Sequence, residues 1–191
     1  SRVFTCVLKE LINDLTGRNG IFGKSEAHVY VIEFQKRGLP HAHIIVWLAG
    51  PFKPTSPAAI DRIVHSELPD SVSQPALYEL VSKHMLHGPC GVHHPESPCM
   101  REGRCKKNFP KDFQTETTQA ADEFPKYRRR NNGRFVTKGT ARLDNRHVIP
   151  YNAFLLLKYE CHINVEICST LAAIKYTPPT QKNHLLPTTT T

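Results

Sequence analysis

Two apolar runs rich in β-branched and aromatic residues, EAHVYVIEFQ and HAHIIVWL, stand on either side of a short KRGLP break. Runs of this kind about a Gly/Pro turn predict a β-hairpin. A hairpin restricts which side chains can meet. Strand residues alternate between faces, so His41 and His43 share one face and Ala42 takes the other. With the turn centred on Gly38, residue 33 lies across from 43 and residue 35 across from 41. Same-face neighbours across a hairpin have Cβ atoms roughly 4.5–5.5 Å apart. Glu33 and Gln35 are both in reach of the imidazoles, Gln35 being the weaker donor because its amide oxygen is neutral. Two imidazoles and a carboxylate with open positions suit Mg²⁺, Mn²⁺ or a heavier divalent ion. Two exposed histidines on an edge strand are the bland alternative. The continuous run Ile44, Ile45, Val46 and Trp47 argues against it, because such runs predict a strand buried on both faces.

The charge balance sets the next limit. Lys and Arg number 25 against 17 Asp and Glu, a net of +8. That excess suits a polyanionic partner, most often nucleic acid, although an ordinary basic protein has the same balance. No apolar run approaches the ~18 residues that span a membrane. The opening SRVFTCVLKELINDL scatters charges through its apolar positions and does not read as a signal peptide; its first residue, Ser, suggests a fragment.

Phe4, Val7, Leu8, Leu11, Ile12 and Leu15 recur at helical spacing and predict an amphipathic helix over 3–16, ended by Gly17 and Gly20. Further helices are predicted at 59–68, 75–86 and 153–158. CHINVEIC reads as a strand with His162, Asn164 and Glu166 on one face. STLAAIKY starts like a helix with Ser169 as N-cap and meets Pro178 and Pro179, which stop it. A low-complexity Thr run follows.

His87, Cys90, Cys99 and Cys105 put four soft donors in one turn-rich segment, 84–113. A tetrahedral Zn²⁺ site needs four such donors, and little apolar material lies between them to order the segment otherwise. His84, His93 and His94 are spare donors, so the set is not unique, and free thiols in a loop are the alternative. Cysteines clustered beside histidines favour a reduced compartment and a metal over a disulfide framework.

KYRRRNNGRFVTKG predicts a basic pair of short strands about an Asn-Gly turn. Lys126, Arg128, Arg129, Arg130 and Arg134 would hold phosphates. Tyr127 would stack a base, as single-stranded DNA requires. A solvated charged hairpin is the competing reading. Lys36 and Arg37, at the tip of the first hairpin, could reach a substrate backbone. Tyr151 and Tyr159 read as packing or DNA-contact residues.

The stretch YVIEFQKRGLPHAHIIVWL resembles the N-terminal, helicase-like domain of Helitron transposon proteins, one of the HUH endonucleases, with His41-Ala42-His43 as the HUH motif. HMLHGPCG, SPCM, CKKNFPKDF, YRRRNNGR, VIPYNAFLLLKYECHINVEIC and the start of AAIKY resemble the same family in the same order, over residues 2–176. The resemblance implies metal-dependent nicking of single-stranded DNA and strand transfer through a 5′-phosphotyrosine. It places Glu33, eight residues before the first histidine, as third ligand to the divalent ion. It makes Tyr176 the nucleophile, with Lys175 before it as a DNA contact. The family's second tyrosine falls at position 180, which is Thr180 here. A truncated or degenerate copy would look like this, and the non-catalytic alternative is a zinc-stabilised DNA-binding remnant. A zinc hydrolase built on His41 and His43 is a third reading.

The fold expected is α+β. A central antiparallel sheet of HUH type carries the first hairpin, helices flank it, and a Cys/His module is inserted. Residues 1–176 form the domain and 177–191 a divergent tail. A helicase domain is expected downstream in the full-length family protein. A nuclear location is implied by the resemblance alone.

Overall fold

Leu8 and Leu15, two turns apart, are the buried residues of the first helix, and this apolar stripe is what makes residues 2–16 helical. The computed structural model describes residues 2–34, 38–120 and 124–168. Among the described residues there are four α-helices and three separate two-stranded antiparallel sheets, an α+β architecture. The chain forms two compact units, Ser1–Ser56 and Pro57–Thr191.

In the first unit, helix α1 (Arg2–Thr16) is followed by β1 (Ser25–Phe34) and β2 (Pro40–Leu48). Gly17 N–H donates to Asn13 O at 2.8 Å, closing the helix. Gly23 then turns the chain at φ +99°, and a Cβ there would sit 2.2 Å from the Phe52 ring. Only glycine meets both conditions. The β1–β2 ladder runs from Phe34 opposite Pro40 to Ser25 opposite Leu48, with an irregularity between Ser25 and Ala27.

Two expectations change here. The register is displaced by two residues, with Glu33 opposite His41 and Val31 opposite His43. The last pair before the connecting segment is Phe34 with Pro40. An even displacement keeps every side chain on its predicted face. Burial of β2 on both faces is not found: its residues are half-buried and Trp47 is 37% exposed. β2 has a single partner strand, and among the described residues no larger central sheet forms around it.

In the second unit, α2 (Pro57–Ile63), α3 (Pro75–His84) and α4 (Ala153–Tyr159) accompany β3 (Met100–Arg101) with β4 (Arg104–Cys105), and β5 (Phe135–Lys138) with β6 (Ala141–Asp144). The main core gathers Leu68, Leu77, Val81, Met85, Leu143, Val148, Tyr151 and Leu156. A second cluster joins Ile60, Val64 and Tyr127. Helix α2 stops short of the predicted Leu68 because His65 exchanges backbone hydrogen bonds with Tyr151, at 2.8 and 2.9 Å. Asn152 caps α4 by accepting from Leu155 N–H at 3.1 Å, while its amide donates to Ile63 O at 2.8 Å.

The basic stretch does not form its predicted hairpin. Residues 126–134 make only isolated bridges, Thr118 to Lys126 and Gln114 to Arg129. The turn lies at Gly139-Thr140, between β5 and β6. CHINVEIC keeps its alternation, with Ile163, Val165 and Ile167 half-buried and the residues between exposed, but pairs with no strand. Tyr127 and Pro150 hold it: Ile167 N–H donates to the Tyr127 hydroxyl at 2.8 Å and Val165 N–H to Pro150 O at 3.1 Å.

Arg129 is 4% exposed and has carbonyls as hydrogen-bond partners. Its Nη1 donates to Asn145 O at 2.7 Å, Val148 O at 2.6 Å and Ser66 O at 3.4 Å. Burial pushes its pKa down to about 10, which leaves it charged at neutral pH. Arg129→Met would leave these carbonyls without their donor, and unfolding by urea should read a loss of about 3 kcal/mol or more.

Glu67 supplies a pH test. Its burial alone would raise its pKa, but hydrogen bonds and charge from Arg130, then Arg128, hold it below its ordinary 4.5. A carboxylate depressed in the folded state contributes stability above its unfolded pKa and loses it as pH falls through the folded value. Melting temperature should therefore drop as pH is lowered from 4.5 downward, and less steeply in Glu67→Gln, which has no proton to gain.

Candidate metal centre and nucleic-acid interface

Helix α3 ends at His84 and the chain passes through Leu86 to His87, whose N–H donates to His147 O at 2.9 Å. That bond fixes the first donor against the core. Cys90 follows three residues later. The small β3–β4 hairpin sets the other two: Cys105 lies opposite Met100, and Lys106 N–H donates to Cys99 O at 2.8 Å. Gly91 N–H reaches Met100 Sδ at 3.2 Å, tying the two halves of the loop together.

The ligand atoms of His87, Cys90, Cys99 and Cys105 all lie within 4.8 Å of one another. Cys105 Sγ and His87 Nε2 are 3.2 Å apart. Zinc bonds of about 2.0–2.3 Å set tetrahedral donor–donor edges of roughly 3.5–3.8 Å. The cluster needs little movement to hold an ion, and three thiols with one imidazole are donors suited to zinc. His84, His93 and His94, the spare donors, stand outside the group.

Electrostatics agree with this use. Burial lowers the His87 pKa, helped by Lys107, His147 and Lys111, so its ring is neutral and can ligate at pH 7. Burial, then Cys99 and Cys105, push the Cys90 thiol up to about 12. For Cys105, burial is outweighed by hydrogen bonds from the Phe109 and Lys107 backbones, which hold its pKa below the ordinary thiol value. The His87 ring stacks on Phe109, with centroids 4.3 Å apart at 18°, and this fixes its plane.

The hairpin histidines are arranged differently. Glu33 Oε2 lies 3.4 Å from His43 Nε2, a diagonal contact across the ladder. His41 meets His43 edge-on with ring centroids 4.8 Å apart. All three groups share a face, but they do not converge as the Cys/His cluster does.

The structure divides the predicted DNA-contact residues. Tyr127 and Arg129 are 7% and 4% exposed, so their side chains hold the interior together and cannot reach a strand. Sequence reading missed this because a tyrosine set among Lys126 and the arginines 128–130 looks the same in a core as on a surface. Arg128 pairs with Asp61 at 3.2 Å, Arg130 with Glu67 at 2.6 Å and Arg134 with Asp70 at 2.8 Å. Lys126 is exposed. Lys36, Arg37, Lys175 and Tyr176 lie outside the described residues. Tyr151 is 2% exposed and donates to Glu67 O at 3.0 Å, a packing residue.

A second grouping was not anticipated. Phe113, Phe135, Arg134, Arg142, Asn131 and Asn132 line a cleft of about 190 Å³ beside the β5–β6 hairpin. Two of these residues, Phe113 and Arg142, lie outside the basic run that drew attention in the sequence.

Residues 1–46 match the family model described as the Helitron helicase-like domain at N-terminus. That span includes Glu33, His41 and His43, and over it the chain is similar to that family, as the resemblance read from the sequence has it. The later motifs, from HMLHGPCG onward, lie beyond the match. No curated protein matches the chain. Among the described residues, no helix is long and apolar enough to cross a membrane.

Purified protein should bind one zinc per chain at the Cys/His cluster, read by elemental analysis. Saturation at a thousandfold excess over Kd would add about 4 kcal/mol, a rise of several degrees in Tm for a chain of this size. Cys105→Ser should lose the ion and the rise, Cys161→Ser should keep both, and affinity should weaken as pH falls because each ligating thiol must release its proton.

Proposed function

We infer that the chain is the DNA-processing domain of a Helitron-type rolling-circle transposon protein, which nicks single-stranded DNA and transfers the cut strand. The observation that carries this reading is the meeting of Glu33 with His43 at 3.4 Å, with His41 beside them, inside the matched span. In this reading the β1–β2 hairpin provides two strands of an HUH-type sheet. Glu33, His41 and His43 hold Mg²⁺ or Mn²⁺, which supplies Lewis-acid stabilisation of charge at the scissile phosphate when bound.

The remaining chemistry belongs to the chain. Tyr176, outside the described residues, provides the nucleophile by family resemblance. Its hydroxyl oxygen bonds to phosphorus and releases its proton. The bond from phosphorus to the 3′ oxygen breaks, and that oxygen takes up a proton as a free 3′-OH. The 5′ phosphate stays on the tyrosine, and the phosphodiester energy is kept for rejoining. The Cys/His cluster contributes order rather than catalysis, holding a loop with little apolar core of its own. Single-stranded DNA is the partner, a helicase domain accompanies this one in the full-length protein, and the nucleus is the place of action.

One observation favours a second reading. The four-donor cluster converges more closely than the hairpin trio, and Thr180 stands where the family's second tyrosine would be. A zinc-stabilised DNA-binding remnant would have these properties.

Incubating the protein with Mn²⁺ and a labelled single-stranded oligonucleotide separates the alternatives. A covalent adduct is expected, reduced at least a hundredfold in Tyr176→Phe and in the His41→Ala/His43→Ala double variant, on the scale of losing a catalytic group. Binding without an adduct supports the remnant, and hydrolysed product without protein-linked DNA supports a zinc hydrolase.

A further inference from the structure

We propose that the cleft beside the β5–β6 hairpin is a pocket for one base of single-stranded DNA, with the neighbouring phosphate held at its rim. The proposal rests on the DNA-processing reading and adds a site outside the metal hairpin.

The chemistry of the lining carries the argument. Arg142 lies over the Phe135 ring with its guanidinium carbon 3.6 Å from the centroid. Arg146 lies over Phe113 at 4.7 Å. Phe135 is 38% exposed and Phe113 is half-buried, so the cleft has two planar, partly solvated platforms. Flat aromatic and guanidinium surfaces are what bases stack on without sequence preference. The exposed amides of Asn131 and Asn132 can hydrogen-bond base edges at the same opening. Gly133 turns the chain there at φ +77°, and a Cβ on it would meet nothing within 4 Å, so the opening is clear.

Charge points to a phosphate. Arg130, Arg134 and Arg142 line the cleft with Asp144, whose carboxylate Arg146 already engages at 2.8 Å; Arg130 is held by Glu67 at 2.6 Å, which leaves Arg134 and Arg142 as the cations for a phosphate. Among the described residues Arg142 meets no carboxylate. The Arg134–Asp70 pair is 39% and 41% exposed, and exposed pairs are weak enough to yield a guanidinium to a phosphate. Size narrows the choice further. At about 190 Å³ the cleft is smaller than the roughly 300–1,000 Å³ of pockets that enclose a whole small molecule. It fits one unit of a polymer whose backbone runs outside.

The test uses the full chain and a fluorescein-labelled thymidine homopolymer, with anisotropy measured before any Mg²⁺ or Mn²⁺ is added. Phe135→Leu keeps the apolar bulk and removes the ring; Arg142→Gln removes the charge. Each is expected to weaken binding about tenfold, the loss expected of one stacking or phosphate contact. Phe135→Tyr should bind as the parent does. Circular dichroism and Tm confirm that each variant is folded. Parent-like affinity in both Phe135→Leu and Arg142→Gln overturns the pocket while leaving the nicking reading to its own adduct assay. Failure of the parent protein to bind the homopolymer overturns the pocket as well. Tighter binding of a uridine homopolymer of equal length overturns the assignment to DNA.

Discussion

The second unit is organised by a buried cation whose hydrogen bonds run to backbone rather than to carboxylate. Arg129 donates to carbonyls of residues 66, 145 and 148, which belong to segments far apart in sequence. Asn145, 1% exposed, completes the junction: its Oδ1 accepts from Leu68 N–H at 2.7 Å and its Nδ2 donates to Arg130 O at 2.8 Å. A planar guanidinium can satisfy several carbonyls at once from a fixed fork, which an ammonium on a flexible stem does less well. Removing a buried cation's partners, or the cation itself, leaves groups with no water to turn to. The segment 145–149 is therefore held in place, and it is the segment on which the sites depend. His147 O receives the N–H of His87, Arg146 O receives that of Lys111, and Asp144 lines the cleft. Metal cluster and cleft are positioned from opposite ends of one pinned strand of backbone.

This explains which parts of the molecule were legible in the sequence. Local signals survived: the helical stripe of α1, the β1 and β2 runs, and the helix at 153–159 all depend on periodicity and short-range caps. The four zinc-type donors were legible because soft ligands close together in a loop have few other uses. What failed was each inference that required knowing a partner. The Tyr-Arg-Arg run at 127–129 is compatible with a stacking platform or with a core, and burial decides between them only after the chain has folded. Helix α2 ends at Ile63 for a tertiary reason, the His65–Tyr151 exchange, that no propensity records. Arg142 and Phe113 drew no notice because nothing in their immediate neighbours marks them. They acquire meaning only through Phe135 and Arg146.

The ligand hairpin is a more demanding case. A two-residue error in register left every side chain on its predicted face, because strand periodicity is two. It did change which contact is made. Glu33 now faces His41 directly and reaches His43 on the diagonal, so both imidazoles remain neighbours of one carboxylate. The shared face of the three side chains survived because the geometry of a ladder tolerates an even slip, whereas a slip of one would have sent Glu33 to the opposite face.

The hairpin also exposes much apolar surface on both faces: Val29 and Val31 on the ligand face, Tyr30, Ile32 and Phe34 on the other, with Phe34 68% exposed. An isolated two-stranded ribbon is marginal in water, and ligand positions on a pliable ribbon are imprecise. In the proposed reading an ion gripped by Glu33 from β1 and by His41 and His43 from β2 would join the strands directly. Binding and stiffening would then be one event, since the free energy of holding the ion is partly spent in fixing the ribbon. The Cys/His cluster stands at the other limit, with four donors already gathered before an ion arrives. Weak exchangeable binding suits a hard divalent ion that must admit a phosphate oxygen, and closed soft coordination suits an ion that only holds a loop. In that reading, the difference in convergence between the two sites is the one their different tasks would require.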